Sequence, residues 1–250
     1  RMHPAICALV SDMFYDGALV SSDRVEHRPD LVAVTLPNLA SPLVLLDLPP
    51  LSRSNSASLE KRIGASWMNE AEINAVTVAL SKMRPHNGAA ATLAVLSPYK
   101  GQVDQLTRRL ARHITPSPDG RHTLHGFESA KGDGAFVHTV DGFQGGEADL
   151  VIVSLVRNNQ QVGHSAVGFL RNRQRLNVLL SRARHKLVLV TSARFLRHAV
   201  DGTDPDQLGE TELLVLRDLI DGIERRSDVA LPDGRMAATV VAITESGDFA

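Results

Sequence analysis

Apolar runs of strand length alternate with segments of helical periodicity along most of the chain. The strand-like runs occupy residues 31–36, 42–48, 91–98, 135–140, 148–156 and 186–192. The run at 148–156 is apolar at nearly every position, which is typical of a strand covered on both faces of a parallel sheet. Helical spacing of apolar residues occupies 69–83, 101–113, 176–183 and 210–226. The alternation predicts an α/β fold, a mostly parallel sheet flanked by helices, with functional loops at the carboxyl ends of its strands.

Two segments interrupt this alternation. Residues 52–66 are serine-rich and polar, which predicts a surface loop. Residues 115–134 are rich in Gly, Pro and His and are too long for an ordinary connection, so we expect an insertion or a partly disordered segment. One more strand-like run follows Ser227. We therefore expect one main domain at 1–226, followed at 227–250 by a tail or the start of another region.

Composition narrows the class of protein. The 250 residues carry a formal charge of −1, and the single cysteine, Cys7, excludes an internal disulfide framework and a cysteine-rich zinc site. No apolar run approaches the ~20 residues of a membrane span, and the ten histidines show no metal-binding spacing. These features predict an intracellular protein, cytoplasmic or nuclear, without a membrane or metal site of its own. The opening Arg-Met-His-Pro suggests a fragment of a longer protein.

Residues 171–186 hold six cations and no carboxylate. Continued as one helix through residue 183, the stretch sets Arg175 and Arg182 on one line beside an apolar stripe, and it turns Arg184 about 200° away from Arg182. A charge run of this kind is either a solvated face or a phosphate-binding surface. A solvated face usually mixes both signs, with acid–base pairs one turn apart.

The stretch before it, 137–159, is a strand, a tight polar loop and a second strand. Gly142, Gly145 and Gly146 allow the backbone to approach a ligand, while Gln144 and Glu147 supply polar groups. By composition alone the segment is compatible with any loop that follows a strand.

Both stretches resemble one family. Residues 139–159 and 167–190 resemble the fifth and sixth motifs of superfamily 1 helicases, most closely those of the up-frameshift type. Residues 1–19 resemble the family's Arg-Met-His-Pro stretch. The family's Asn-x-x-Glu helix start is matched by Asn69 and Glu72, and its Thr-Pro-Tyr-x-x-Gln segment is matched at 97–102, with Ser97 replacing threonine. Five matches in order are specific, whereas any one alone is weak.

The resemblance implies the second, C-terminal RecA-like domain of an ATP-dependent helicase or translocase, a P-loop NTPase-type fold without its own phosphate loop. In the family, ATP lies between two such domains, and single-stranded DNA or RNA runs across both with 5′ to 3′ movement. The first RecA-like domain of the same protein would bring the phosphate-loop lysine and the Mg²⁺ ligands, since no G-x-x-x-x-G-K-[ST] motif is present here. The isolated fragment should therefore be inactive.

The resemblance also implies roles for single residues. Arg182 matches the arginine finger, Arg1 matches a second arginine near the γ-phosphate, and Glu147 matches the carboxylate that binds the ribose hydroxyls. Gly145 would lie near the nucleotide, and Gln144 would support that site or bridge it to the nucleic-acid site. Arg175 would be a phosphate contact at the nucleotide or a structural residue. The sequence departs from the family at Gln174, where arginine is frequent.

The resemblance further implies that four residues contact the nucleic-acid backbone: Ser97, Tyr99, Lys100 and Thr139. Hydroxyl and backbone N–H groups suit phosphate oxygens and carry no base information, so DNA and RNA stay open. Each of the four is equally compatible with a loop-capping role. His3 and Asn177 are interpreted as structural. The alternative function is a non-catalytic helicase-like module that binds nucleic acid or regulates, but the presence of Arg182 and Glu147 favours the enzyme.

Overall fold

Most of the described strands join one sheet that carries helices on both faces. The computed structural model describes residues 2–21, 30–50, 60–86, 89–117, 120–203, 213–244 and 248–249. Its strands are β1 (Val32–Val34), β2 (Leu43–Asp47), β3 (Lys61–Ile63), β4 (Ser66–Met68), β5 (Met83–Pro85), β6 (Thr92–Ser97), β7 (Ile114–Pro116), β8 (His122–Leu124), β9 (Phe127–Ser129), β10 (Val137–Thr139), β11 (Ala148–Ser154), β12 (Ala183–Thr191) and β13 (Ala238–Ala242). Its helices are α1 (Pro4–Phe14), α2 (Glu70–Ser81), α3 (Lys100–Ala111), α4 (Gly163–Val167), α5 (Arg173–Leu180), α6 (Ala193–Asp201) and α7 (Leu214–Ser227). Within these described ranges, no helix has both the length and the apolar character needed to cross a membrane.

The strand order of the main sheet is β13–β2–β12–β11–β6, and these five strands are parallel. Beyond β6, the short strands β10 and β9 both run parallel to it, and β8 and β7 extend the sheet with antiparallel pairs. The register sets Thr139 beside Ser97 and Leu150 beside Leu93. The ends of β6 and β10 therefore share one edge of the sheet, and the beginnings of β11 and β12 share the other. The predicted fold class, a mostly parallel sheet flanked by helices, is confirmed.

Alternate residues of the central strands point into two apolar cores. In β11, Val151 and Val153 belong to the core shared with α1 and α4–α7, whereas Leu150 and Ile152 belong to the core shared with α2 and α3. Every residue of β11 is buried, as a strand covered on both faces requires. The connections after β11 and β12 thus lie on one face, and the connection after β2 lies on the other.

The long predicted elements are confirmed with small changes of boundary. The strands predicted at 42–48, 91–98, 135–140 and 148–156 are β2, β6, β10 and β11, and the helices predicted at 69–83 and 101–113 are α2 and α3. The Asn69 side chain caps α2 by accepting hydrogen bonds from the N–H groups of Ala71 and Glu72. The strand at 31–36 is shorter and pairs with β5 outside the main sheet. The helix predicted at 210–226 is α7, although residues 210–212 lie outside the described residues.

Strands also form where the sequence predicts loops or a tail. In the serine-rich segment 52–66, residues 52–59 lie outside the described residues, but the rest forms β3 and the start of its antiparallel partner β4. The segment 115–134 contains β8, β9 and most of β7, although residues 118–119 lie outside the described residues. From the expected tail at 227–250, β13 pairs with β2 in the main sheet. The sheet therefore continues past the boundary expected at Arg226.

The helix predicted through residue 183 is wrong at its end. Helix α5 stops at Leu180, and β12 begins at Ala183 instead of Lys186. The Arg182 side chain donates to the Val178 carbonyl (2.8 Å), one of the carbonyls that a helix end leaves without an intrahelical partner. Arg182 therefore lies in the turn between helix and strand, and Arg184 lies on β12.

Candidate functional site

The loop between β10 and β11 packs against the turn that contains Arg182. The half-buried Arg182 guanidinium donates from Nη1 to the Gly146 carbonyl (3.1 Å) and from Nε to the Val178 carbonyl (2.8 Å). The backbones also pair, since the Ala148 N–H donates to the Arg182 carbonyl (3.1 Å). These contacts hold the predicted arginine finger beside the glycine-rich loop, where β11 and β12 begin.

Glu147, the next residue of that loop, faces a second arginine. Its carboxylate forms an ion pair with Arg184, which also lies 3.7 Å from Asp149 Oδ1. The side chains of Glu147 and Arg184 are 23% and 37% exposed, so both are accessible from this edge. Sequence reasoning missed Arg184 because the predicted helix turned it away. The sequence did contain a signal for this contact. Glu147 and Asp149 are two residues apart, as are Arg182 and Arg184, and this spacing places both members of a pair on one face of a strand, where pairs on neighbouring strands can face each other.

The amino-terminal segment reaches the same edge. The His3 N–H donates to the Arg184 carbonyl (2.7 Å), and His3 Nδ1 accepts from the Ala5 N–H (3.2 Å) to cap α1. Burial, with a smaller effect of nearby Arg235, lowers the His3 pKa to about 4, so the ring is neutral near pH 7. This geometry agrees with the structural interpretation of His3. Arg1 lies outside the described residues.

Gln144 and Gly145 form the exposed part of the loop. Gln144 follows a 3-10 turn at Asp141–Phe143, and Gly145 has φ +78°, which glycine adopts without strain. Beneath them Phe143 is 1% exposed, and a Cβ on Gly146 would approach its ring to 3.0 Å. The small residues therefore allow the loop to lie flat over a buried ring, with its backbone near the surface.

The predicted nucleotide residues and the predicted strand-binding residues lie at opposite edges of the sheet. Glu147 and Arg182 precede β11 and β12, whereas Ser97 and Thr139 end β6 and β10. The seven residues of β11 separate the two edges by roughly 20 Å. The first group therefore lies at the edge opposite to the one where functional loops are expected, because the loop that carries Glu147 crosses the sheet before β11 begins.

Arg175 lies near the second group without a direct contact to it. Its guanidinium lies 4.7 Å from the centre of the Phe169 ring and 3.5 Å from the Asp141 carboxylate. The Phe169 ring is in turn 6.3 Å from the Tyr99 ring, at an angle of 58°. Arg175 is thus linked to Tyr99 through Phe169, and not to the Glu147 and Arg182 contacts.

Ser97 and Tyr99 are less accessible than the sequence suggests. Ser97 has no exposed surface, and its Oγ accepts a hydrogen bond from the Tyr99 N–H (3.4 Å), so it positions the loop and cannot touch a strand in this conformation. Tyr99 is half-buried, and its hydroxyl accepts from the Phe169 N–H (3.4 Å). Burial raises the Tyr99 pKa above its usual value, which keeps the hydroxyl protonated.

Lys100 and Thr139 remain available at the carboxyl edge. Lys100 is exposed and forms an ion pair with Asp104, one turn further along α3. Thr139 is half-buried, and its Oγ1 accepts from the Gly142 N–H (3.1 Å), which leaves its own proton free to donate. Asn177 donates to the Tyr15 hydroxyl (3.0 Å), which links α5 to α1.

Tertiary structure brings acids to the basic stretch. Arg175 faces Asp141, and Arg184 faces Glu147 and Asp149. Lys186 is 3% exposed and donates to the backbone carbonyls of residues 40 and 41, and burial lowers its pKa to about 7. The charge that looks uncompensated in the sequence is therefore partly paired in the fold.

A buried ion pair beyond the end of β11 was not predicted. Arg157 Nε donates to Glu60 Oε2 (2.9 Å), and the two side chains are only 7% and 5% exposed. The Arg157 guanidinium also lies 4.9 Å from the centre of the Trp67 ring. A Cβ on Gly168 would come within 2.8 Å of this guanidinium and 3.1 Å of the Tyr99 hydroxyl. The pair therefore joins the β3–β4 hairpin to the Tyr99–Phe169 region.

Glu72, conspicuous in the helix-start motif, has a structural place. It is fully buried, and its carboxyl contacts the Ser154 hydroxyl and the Val156 N–H. Desolvation raises its pKa to about 8, against the opposing effect of the Ser154 hydrogen bond. The Asn69 Nδ2 donates to the Val156 carbonyl (3.1 Å). These contacts hold Val156 at φ +74°, an unfavourable conformation for a β-branched residue. Within the described ranges, no cluster of three or more His, Cys, Asp or Glu side chains is suited to a metal ion.

Comparison with known proteins identifies relatives of this chain. Residues 1–194 match a protein family described as an AAA domain. ATP-dependent helicase NAM7 of Saccharomyces cerevisiae is 30% identical over 197 residues, which cover 78% of this chain and 18% of that protein. Regulator of nonsense transcripts 1 of Dictyostelium discoideum is 28% identical over 196 residues, 78% of this chain and 13% of that protein.

A third relative is named for DNA. DNA polymerase alpha-associated DNA helicase A of Saccharomyces cerevisiae is 29% identical over 208 residues, which cover 79% of this chain and 27% of that protein. The chain thus spans between 13% and 27% of the length of these three relatives. The family match covers well over half of the chain. The chain therefore belongs to the AAA domain family, as a helicase domain of the up-frameshift type within superfamily 1.

Proposed function

We propose that the chain is the C-terminal motor domain of an ATP-dependent helicase or translocase that acts on single-stranded nucleic acid. The observation that carries the proposal is the arrangement at the amino edge of β11 and β12. There the Arg182 guanidinium is fixed against the Gly146 carbonyl, and the adjacent Glu147 carboxylate is fixed by Arg184. A fixed guanidinium next to a fixed carboxylate supplies one group for phosphate charge and one for sugar hydroxyls.

At this edge we assign the nucleotide contacts. Arg182 neutralises charge on the γ-phosphate, Glu147 accepts hydrogen bonds from the ribose hydroxyls, and Gln144 and Gly145 present the loop to the ligand. Arg1 is proposed as a second phosphate contact on the strength of the family motif. ATP fits this side of the site, because the cationic and acidic groups it needs are present and partly exposed. We assign the phosphate loop and the Mg²⁺ ligands to a first RecA-like domain of the same protein.

At the carboxyl edge we assign the strand contacts. Lys100 and Thr139 bind phosphate oxygens, and Ser97 holds the Tyr99 N–H in the loop that leads to Lys100. Arg175, which the sequence suggests for the nucleotide, is assigned here because its guanidinium lies over Phe169 beside Tyr99. Such backbone contacts do not separate DNA from RNA. We propose an intracellular protein that moves 5′ to 3′.

Hydrolysis that depends on a strand tests this function. The full-length protein should hydrolyse ATP only slowly alone and much faster with a single strand, and the isolated 250-residue chain should show no turnover above background. The reason is that one domain of the pair supplies the phosphate loop and the other supplies the finger. Turnover by the isolated chain would contradict the two-domain assignment. A full-length protein that binds strands without any hydrolysis would favour a non-catalytic module.

A second prediction concerns Glu147. In the full-length protein, Glu147→Ala should weaken ATP binding by roughly ten- to a hundredfold, since hydrogen bonds to a charged acceptor contribute about 1.5–3 kcal/mol. The loss should be much smaller for 2′-deoxy-ATP, because that ligand lacks one of the two hydroxyls. Equilibrium binding of both nucleotides to both proteins gives the comparison.

Arg184→Ala is the control for this experiment. It removes the partner that fixes Glu147 but leaves the carboxylate in place. If Arg184→Ala weakens both nucleotides equally while Glu147→Ala changes their ratio, the carboxylate contacts the ribose. An unchanged ratio in Glu147→Ala would sink the ribose assignment.

A further inference from the structure

A cavity of about 280 Å³ opens at the carboxyl edge of the sheet, separate from the residues assigned above. Its walls follow three neighbouring strands: Pro50 after β2, Asn158, Asn159 and Gln160 after β11, and Arg194, Phe195 and His198 in α6 after β12. The volume is at the lower end for small-molecule sites, which suits one nucleotide unit better than a longer segment.

The cavity lies where the chain connections change faces. After β12 the chain enters α6, whose Leu196 packs into the core shared with α1 and α7. After β2 it continues to α2, whose Ile73 packs into the opposite core. Strands β2 and β12 are neighbours and parallel. Adjacent parallel strands whose connections leave on opposite faces open a crevice at their carboxyl ends, and this crevice is where such sheets bind ligands.

Asn158 lines this cavity and carries a buried polar atom without a partner among the described residues. The residue is 1% exposed, its N–H donates to Glu60 Oε2 (2.9 Å), and its Nδ2 lies 3.4 Å from the Pro49 carbonyl. Its Oδ1 is buried and has no hydrogen-bond partner in the described part of the chain. A buried acceptor left unpaired is unfavourable. A ligand that brings an N–H donor would remove this cost.

The neighbouring amides play different parts. The Asn159 side chain is engaged by the protein, since its Nδ2 donates to Glu60 Oε2 (3.0 Å) and the Ala166 carbonyl (2.9 Å), and its Oδ1 accepts from the Gln161 N–H (2.9 Å). Asn159 therefore forms a fixed wall. Gln160 is exposed at the mouth, where its amide can both donate and accept.

Basic side chains of α6 stand at the mouth. Arg194 and His198 are one turn apart, and both are exposed. Two of the first three N–H groups of α6 are already used, because Ala193 donates to Asp47 Oδ1 (2.8 Å) and Phe195 donates to Ser192 Oγ (3.3 Å). An anion here would therefore bind the Arg194 guanidinium, whose planar donors match phosphate oxygens. None of the described residues that line the cavity is a carboxylate.

We propose that this cavity binds one nucleoside monophosphate unit. In the proposed complex the Asn158 side chain turns its buried Oδ1 toward the ligand and accepts an N–H from the base edge, Gln160 contacts the same edge, and the phosphate pairs with Arg194. Pro50 and Phe195 supply apolar walls for the ring. The unit is a free mononucleotide or one nucleotide of a bound strand. The second possibility, one nucleotide of a bound nucleic-acid strand, rests on the proposed function, which assigns strand contacts at the same edge of the sheet.

The test uses the full-length protein without ATP. Binding of a labelled single-stranded oligonucleotide is measured by anisotropy, and binding of AMP is measured by calorimetry. Asn158→Leu and Arg194→Gln should each lower the affinity for the ligand that occupies the cavity about tenfold. Asn158→Leu removes a buried hydrogen bond, and Arg194→Gln removes a charge-assisted contact. Arg108→Gln is the matched control: it changes an exposed arginine of α3 on the opposite face and should leave binding unchanged. Photo-crosslinking with a thionucleotide in the oligonucleotide should label residues 158–160 or 194–198.

Each outcome is decisive. Weakened oligonucleotide binding with crosslinks in the cavity supports the strand source, and weakened AMP binding alone supports the free mononucleotide. Arg194→Gln changes the exposed rim and should not disturb folding. If it alters the affinity for neither ligand, the cavity assignment is wrong. Strand-stimulated hydrolysis that requires Arg182 while both cavity variants bind normally overturns this inference alone. If the full-length protein does not hydrolyse ATP but Arg194→Gln still lowers the affinity for AMP, the proposed function is wrong and the cavity assignment stands.

Discussion

Full-length protein that carries Arg182→Ala should hydrolyse ATP about a thousandfold more slowly than wild type in the presence of a saturating single strand. Arg182 is proposed to act on charge that develops on the γ-phosphate in the transition state, so its loss falls on turnover more than on nucleotide binding. A thousandfold corresponds to about 4 kcal/mol of barrier. Initial rates at saturating ATP, with strand separation measured in parallel, check the prediction.

Two variants separate chemistry from local structure. Arg182 donates to the carbonyls of Val178 and Gly146, so thermal unfolding of each variant must be compared with wild type. Arg182→Lys keeps the charge but should restore little turnover, because a point charge cannot reproduce the planar fork. Arg108→Ala, an exposed arginine of α3, should retain full activity. Strand affinity without nucleotide should change little, because the strand residues lie at the opposite edge. Normal folding with turnover within about tenfold of wild type in Arg182→Ala would contradict the finger assignment.

The core elements were predictable because burial constrains their sequences directly. Strands β2, β6 and β11 are covered on both faces, so they consist of nearly continuous apolar runs that are visible in the sequence. Helix α2 combines an asparagine cap with apolar residues at helical spacing. Short edge strands such as β8 and β9 have no such signature, because three residues are too few to show a period and their partners come from tertiary structure.

The end of α5 was not predictable from spacing alone. Leu176, Leu179, Leu180 and Ala183 fit one helical stripe, yet Ala183 is already buried as the first residue of β12, beside Ala148. A buried alanine is compatible with either structure. The pairing of Ala148 with Arg182 and Ala183 decides the boundary, and this pairing joins segments more than thirty residues apart. The same long-range pairing places Arg184 against Glu147.

The location of the candidate site was only half predictable. The carboxyl-edge rule for parallel sheets applies to Tyr99, Lys100 and Thr139, but the loop that carries Glu147 crosses to the amino edge before β11 begins. Which residues of a loop are accessible also depends on packing. Ser97, the last residue of β6, is completely buried, although Lys100 three residues later is exposed. Sequence motifs thus identify the loops, and the fold decides which of their atoms face solvent.

The buried Arg157–Glu60 pair leads to the second large effect. Arg157→Ala should destabilise the chain by about 3–5 kcal/mol, because it leaves the Glu60 carboxylate buried without its cation. The Trp67 ring would lose its guanidinium contact as well, and the Ser165 carbonyl would lose a donor at 3.1 Å. Urea unfolding of the chain, followed by circular dichroism, measures the change.

A double variant identifies the cause of this loss. Arg157→Met keeps much of the side-chain volume but removes the charge, so it should be nearly as destabilising as alanine. Glu60→Gln removes the carboxylate charge, while its amide oxygen still accepts from the Asn158 N–H. Arg157→Met combined with Glu60→Gln should therefore be more stable than Arg157→Met alone, since no buried charge remains. If the double variant is instead less stable by the sum of the single effects, the two charges do not interact, and packing against Trp67 accounts for the loss.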